Sequence, residues 1–332
     1  MALDHVQLQF GDPRESNSSV WPMSKRDAEV RPALELTLLY RGPLSSCNYD
    51  CHYCPFAKRH ETAAELAVDR QALERFVRWA ESRTEDRLSI FFTPWGEALV
   101  RRWYQDAMEQ LSHLPQIRKV AIQTNLSCRL DWLARCDRSK LGLWCTFHPS
   151  QTSRQEFLGQ CRKLDRQQVP YSVGTVGLKE DLDEITRLRE ELSPDVYLWI
   201  NAYKSQADYY TEEDVRRFEN IDPHFRTNNQ YHASLGRSCR TGVSVVSVDG
   251  DGNLSRCHFI KQQIGNLYQP DFERVLYERP CTNATCGCHI GYVHLDHLNL
   301  GAVYGNGILE RIPVQESSRI RQTSVAVAGI SE

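Results

Sequence analysis

Residues 34–54 read LELTLLYRGPLSSCNYDCHYC. The first seven form a short apolar run whose length and flanks predict a β-strand over 34–40. The loop directly after it holds Cys47, Cys51 and Cys54 in the spacing C-x3-C-x2-C. A strand that delivers a thiol-rich loop is the first unit of a pattern that then repeats along the chain. A helix capped by Asp69 is expected next, with Leu73, Phe76, Val77 and Ala80 on one face. Residues 87–92 (RLSIFF) read as a second strand, followed by the loop TPWGEAL and a helix with Tyr104, Ala107, Met108 and Leu111 on one side.

The alternation continues with strands expected at 119–124, 141–147, 171–176 and 196–201. Ser153 and Glu156 have the spacing of a capping box, opening a helix that carries Phe157, Cys161 and Leu164. Further helices are read at 182–192 and from 211 to 218. Six strands alternating with helices argue for parallel βα units. The fold class is therefore α/β, a partial (β/α)6 TIM-like barrel over residues 34–225. In barrels of this kind the active site lies at the C-terminal ends of the strands, which is where the cysteine loop falls. Beyond residue 225 the pattern changes. Residues 243–248, a DGDG turn at 249–252 and residues 253–259 read as a β-hairpin, and a cysteine-rich loop follows at 281–288. Residues 226–312 thus form a small C-terminal extension. Residues 1–33 read as an irregular N-terminal arm and 313–332 as a flexible tail.

Composition limits the function. The chain has 332 residues, 41% hydrophobic and 25% charged, with a formal net charge of −3. That balance, without a basic block, predicts no nucleic-acid partner. No apolar run approaches the roughly 18 residues of a membrane span, and the polar N-terminus lacks a signal-peptide pattern. A cytoplasmic protein without membrane contact is expected. There the twelve cysteines are not disulfides. Three lie at 47–54 and five between 239 and 288, and clustered thiols in a reducing compartment point to metal. Cys128, Cys136, Cys145 and Cys161 are scattered and read as small buried hydrophobes.

Three thiolates can hold three irons of a cubane and leave the fourth without a protein ligand. An open metal position is what catalysis requires. The spacing Cys47-x3-Cys51-x2-Cys54, with the aromatic Tyr53 before the last cysteine, resembles the signature of the radical S-adenosylmethionine (SAM) superfamily. The resemblance implies a [4Fe–4S] cluster on Cys47, Cys51 and Cys54, with SAM on the open iron. One electron then cleaves SAM to a 5′-deoxyadenosyl radical, which abstracts a hydrogen atom from a substrate. The family's Gly-Gly-Glu motif, which binds the SAM amino group, is matched by Gly96 and Glu97, with Trp95 in place of the first glycine. Asn125 ends strand three as in many members. His148 and Ser150 fall at the end of strand four, where the family places ribose contacts. Loop capping and turn chemistry are the competing reading of Asn125, His148 and Ser150.

Cys239, Gly252 and Cys257 have the spacing C-x12-G-x4-C, which resembles the start of the SPASM extension or its shortened form, Twitch. The stretch Ile264-Gly265-Asn266-Leu267 resembles it too. With Cys281, Cys286 and Cys288 the region offers five thiols, enough for a second, auxiliary [4Fe–4S] cluster with one spare. Which of the five is spare is left open, and a structural four-cysteine zinc site is the competing reading. His289, His294 and His297 are expected in core or surface roles. The resemblance covers residues 34–300, and the stretches CNYDCHYCPF and CTNATCGCHIGY suggest a poorly characterised bacterial subfamily of Twitch-type proteins. It implies hydrogen abstraction from a peptide or protein side chain, leading to crosslinking or oxidation, and a low-potential electron donor of flavodoxin or ferredoxin type. The alternatives are a small-molecule dehydrogenase or epimerase and, from another class, a non-catalytic iron–sulfur or zinc scaffold.

Overall fold

The computed structural model describes residues 33–56 and 59–314. The expected N-terminal arm and tail lie, apart from Ala33 and residues 313–314, outside the described residues. Six parallel strands, β1 Glu35–Arg41, β2 Arg87–Phe92, β3 Ile117–Thr124, β4 Leu141–Thr146, β5 Tyr171–Val176 and β6 Leu198–Asn201, pair in chain order. Helices α1 Ala63–Ser82, α2 Arg102–His113, α3 Arg154–Gln167 and α4 Leu182–Glu191 connect them, and α5 Glu212–Glu219 follows β6. β4 and β5 are buried at all but their last residue, the mark of a parallel sheet covered on both faces.

The two coverings differ. Alternate strand residues point to opposite faces. Leu38, Ile90, Val120 and Leu143 pack with the helix residues Leu73, Phe76, Met108 and Leu164. Leu39, Phe91, Ala121, Trp144 and Trp199 pack instead with Ile290, Tyr292, Leu300 and Leu309 from the C-terminal part of the chain. The same segment continues as Glu310, whose carboxylate pairs with Lys119 at 2.6 Å and whose carbonyl accepts from Ser172 Oγ, and Arg311, in the left-handed region at φ 55°.

Helix α1 starts earlier than the sequence pattern suggests. Its N-cap is Thr62, which makes a reciprocal capping box with Glu65; that pair satisfies two end donors at once and outcompetes Asp69 as a cap. Asp69 lies inside the helix, fully buried. Its carboxylate accepts from Leu44 N (3.1 Å), Trp103 Nε1 (2.8 Å) and Tyr104 Oη (3.1 Å), tying α1 to α2 and to the loop after β1. The Ser153–Glu156 capping box forms as read.

After β6 a two-residue strand, β7 His232–Ala233, precedes the hairpin of β8 Val245–Asp249 and β9 Asn253–Cys257. In its turn Asp249 Oδ1 accepts from Asp251 N and Asn253 N, and Gly252 takes φ 83°, a conformation glycine adopts at little cost. β8 also pairs in parallel with β1, Thr37 opposite Val245 through Arg41 opposite Asp249. The hairpin thus extends the main sheet, with β10 Ile260–Asn266 at its outer edge. β11 Thr285–Cys286 pairs with β7. No helix among the described residues is long and apolar enough to cross a membrane.

Candidate functional site

The C-terminal ends of β1 to β4 and β6 open onto a cavity of about 330 Å³. Cys47, Cys51 and Cys54 line it from the loop after β1, Gly96 and Glu97 from the loop after β2, Asn125 from the end of β3 and His148 from the end of β4. Tyr53 stands behind His148, its hydroxyl 2.7 Å from Nδ1. Ser150 is exposed and outside the cavity wall; its hydroxyl accepts from the neighbouring Gln151 amide at 3.3 Å.

The cysteine loop is braced at its first residues. Glu61 receives Ser45 N on one carboxylate oxygen (3.1 Å) and Ser46 N (3.0 Å) and Ser46 Oγ (2.7 Å) on the other. Ser46 O accepts from Glu97 N at 3.1 Å. This approach is why residue 96 is glycine: a Cβ there would lie 1.8 Å from Ser46 O. Further along, Cys47 Sγ accepts from Tyr49 N at 3.4 Å. Asn48 bonds to Ser127 and Asn125 (3.0 and 3.1 Å), and Asp50 N to Gln151 Oε1 (2.9 Å). The loop is thereby latched to the ends of β3 and β4.

Glu97 is 3% exposed. One carboxylate oxygen accepts from Leu99 N (2.9 Å) and Thr124 Oγ1 (2.8 Å), the other from Asn125 N (2.6 Å). Burial raises its pKa to about 7 against the lowering effect of those bonds. It therefore joins the ends of β2 and β3, with acceptor capacity left on the second oxygen for a group in the cavity. Burial lowers His148 to about 4 and raises Tyr53 above its ordinary range, so both are neutral at pH 7. Burial also raises Cys47.

Of the second set, Cys239 and Cys257 are buried, Cys281 and Cys286 half-buried and Cys288 more exposed. Burial, with Cys257, Cys288 and Cys239 close enough to add repulsion, raises Cys286 to about 12. Cys281 sits where its backbone pairs with Gly236 and Arg237. Cys288 lines the same cavity as the first three cysteines. No group of three His, Cys, Asp or Glu side chains among the described residues is arranged to hold a single metal ion. The four scattered cysteines are buried, as are His289 and His294, while His297 is exposed.

Several cavity residues carry no sequence motif. Arg41, at the end of β1, lies 4.1 Å from the Trp95 ring centroid and donates to Thr93 O at 2.8 Å. Trp95 also packs on Phe56 of the cysteine loop. Trp144 and Trp199 enter from the inner face of β4 and β6, and Phe259 and His289 from the C-terminal region. Arg41, Trp144 and Trp199 are marked only by the inward register of their strands, and Trp95, Phe259 and His289 only by the path of their loops and turns, both of which need the fold.

No family model and no curated protein matches the chain. Its fold is similar to that of native anSMEcpe solved with bound AdoMet and a Cp18Cys peptide, with a TM-score of 0.50 and 14% identity over 72% of this chain and 79% of that one. Polyhistidine-tagged anSMEcpe with bound AdoMet matches with the same TM-score, identity and coverage. BtrN in an open conformation overlaps less well, at a TM-score of 0.35 and 13% identity over 76% of this chain and 96% of that one. What is shared at such identity is the fold: a mixed α/β architecture with a parallel-rich central sheet.

Proposed function

We propose that this chain is a radical SAM enzyme that abstracts a hydrogen atom from a peptide or protein side chain. The observation that carries the reading is the meeting of Cys47, Cys51 and Cys54 with Gly96, Glu97, Asn125 and His148 around one cavity at the strand ends. The donor set suits the implied group: three soft thiols on one braced loop, beside a cavity, match iron–sulfur ligation that leaves one iron to a small molecule. When bound, the cluster supplies one electron to SAM, whose cleavage yields methionine and the 5′-deoxyadenosyl radical that attacks the substrate C–H bond.

The chain's own residues bind, orient and exclude water. Glu61, Gly96 and the Asp69 network hold the cysteine loop in place. Glu97 offers its remaining acceptor capacity to the SAM ammonium, a charge-assisted bond. Asn125 and His148, with Tyr53 behind it, stand for the ribose side, whereas Ser150, outside the cavity wall, takes no part. Trp95 and Phe56 form an apolar rim that limits water at the mouth. The peptide substrate is favoured because a protein of the same fold has been solved with a peptide bound. Cys239, Cys257, Cys281, Cys286 and Cys288 are proposed for an auxiliary [4Fe–4S] cluster in a Twitch-like region. Cys288, which lines the cavity, sets that region beside the substrate, and a flavodoxin- or ferredoxin-type donor would deliver the electron. The test is anaerobic reconstitution with a low-potential reductant: methionine and 5′-deoxyadenosine should form from SAM. Protein that carries about four irons or more per chain and still leaves SAM uncleaved would overturn the reading.

A further inference from the structure

Arg41 is the one arginine or lysine among the described residues that line the cavity. It ends β1 and is half-buried there. Burial lowers its pKa only to about 10, so at neutral pH it is a cation that has lost part of its water. Two contacts fix how the guanidinium lies. Nε donates to Thr93 O at 2.8 Å, and the group rests 4.1 Å from the Trp95 ring centroid. Thr93 is itself held: its N–H donates to Tyr40 O at 2.9 Å, and its hydroxyl lies 2.8 Å from His258 Nε2. Nη1 and Nη2 remain. They make no hydrogen bond to a described residue and, unlike the guanidinium nitrogens of Arg311, are not sealed from solvent. No carboxylate among the described residues pairs with them. Glu97, the only acid of the described lining, is taken up by Leu99, Thr124 and Asn125. Asp249, opposite Arg41 across the β1–β8 pair, accepts from Asp251 N, Asn253 N and Asn253 Nδ2 in its own turn. Cys288 is in electrostatic reach but shares no hydrogen bond with Arg41. A cation that has lost water without gaining a counter-ion is costly. Two parallel N–H groups on one guanidinium edge fit the two oxygens of a carboxylate. With no second cation in the described lining, a monoanion matches better than a phosphate, which carries nearly two charges.

We infer that the Nη edge of Arg41 is the receptor for a carboxylate of the substrate. This deepens the proposed function by naming a chemical class of substrate, and rests on that reading for the reaction. Glu97, at the ends of β2 and β3, marks the side of the cavity proposed for SAM. Arg41 stands on β1, the strand that pairs with β8, and through Thr93 it is joined to His258 of the C-terminal region. That is the side of Cys288, proposed for the substrate. Trp95 and Phe56, packed on each other at the mouth, limit water around the pair, and a charge-assisted bond is stronger where water is scarce.

The test is calorimetric titration of the reconstituted, SAM-loaded full chain, without reductant, with N-acetylglycine and, separately, with its neutral amide, N-acetylglycinamide, at constant ionic strength. The acid should bind saturably and about tenfold or more tighter than the amide, as for one charge-assisted bond. In Arg41→Gln the acid should bind no better than the amide. Arg41→Lys, which keeps the charge and loses the planar fork, should retain only part of the preference. Absence of saturable acid binding in the wild type overturns the inference. So do equal wild-type affinities for acid and amide, the result expected if Arg41 serves only Cys288, and a preference undiminished in folded Arg41→Gln. Should Arg41→Gln fail to fold, Arg41→Lys takes its place, and an undiminished preference there overturns the inference likewise. Repeating the titration without SAM separates the two sources of a carboxylate. Acid binding that SAM leaves unaltered or tightens belongs to the substrate; acid bound only in the absence of SAM would give Arg41 to the SAM carboxylate and overturn the assignment. SAM cleavage by the wild type keeps the two claims apart. Cleavage without the acid preference removes only the receptor, whereas the acid preference without cleavage removes only the radical chemistry.

Discussion

The two cysteine regions are built by different means. Cys47, Cys51 and Cys54 sit within one loop on a central strand, and that loop is braced over residues 45–50 by Glu61, by Glu97 N and by the ends of β3 and β4. The second set is assembled from a bridge at Cys239, the end of β9 at Cys257, and the turns around β11. Its cysteines are held where separate segments pair, Cys239 with Leu295, Cys257 with Ile260 and Cys286 with His232, and Cys286 Sγ packs against Gly291. A preformed loop can place three thiols before any cluster arrives. A set drawn from three segments depends on the packing of the C-terminal region, and on whatever group finally joins them.

The largest effect should come from removing one thiol from each region. Cys51→Ala should lower 5′-deoxyadenosine formation to background and iron content by about four per chain. Cys257→Ala should lose a similar amount of iron yet keep most of the cleavage. Loss of cleavage in Cys257→Ala protein that retains the first cluster would erase the division between the regions.

The braces should differ in stiffness. Gly96→Ala forces a methyl into the backbone of Ser46, 1.8 Å from its oxygen, and should destabilise the chain by about 3 kcal/mol or more. Gly291→Ala would meet Cys286 Sγ at 2.7 Å and the edge of Phe259 at 2.9 Å, side chains that can turn aside, and should cost only about 1–2 kcal/mol. Denaturant unfolding of the two variants decides; equal losses would mean that the second region is as rigid as the first.

Glu97 gives the first region a pH signature. Its carboxyl is held at about 7 in the fold against about 4.3 in an unfolded chain, so the folded state binds the extra proton between those values. Its contribution to stability is complete below about pH 4.3 and is lost as pH rises through about 7, on the order of 3 kcal/mol in all. Stability curves of wild type and Glu97→Gln should therefore diverge across pH 4–8, the variant lacking this decline. Parallel curves would show that Glu97 does not titrate there.

The smallest effect is expected at the rim. Trp95 is 38% exposed, and Trp95→Ala removes its contacts with Arg41 and Phe56 at a cost to stability below about 1 kcal/mol. SAM binding should weaken while melting behaviour barely moves. A large drop in melting temperature would make Trp95 part of the core rather than of the mouth.

What the sequence reveals follows the same division. The strand–loop–helix order is legible because each strand of a covered parallel sheet is a compact apolar run, and Cys47, Cys51 and Cys54 because their spacing is local. The start of α1 is not, because Asp69, a good cap by type, faces inward, and its role depends on Trp103 and Tyr104 far along the chain. Arg41 and Trp144 give no signal, since an inward-facing cation or indole looks like any other until the strand register is known. The addition of β8 to β1 is equally hidden, because a parallel pairing between distant segments leaves no local pattern.

That pairing has a consequence for how the chain is made. Synthesis delivers β1 early and β8 late, so a growing chain that has already formed the first βα units carries an open, apolar strand edge on β1 until residue 249 leaves the ribosome. Such an edge is a template for pairing with other chains. Chaperone engagement should thus concentrate on this interval. A fragment ending near residue 225 would expose the edge permanently and should be recovered in inclusion bodies rather than in solution.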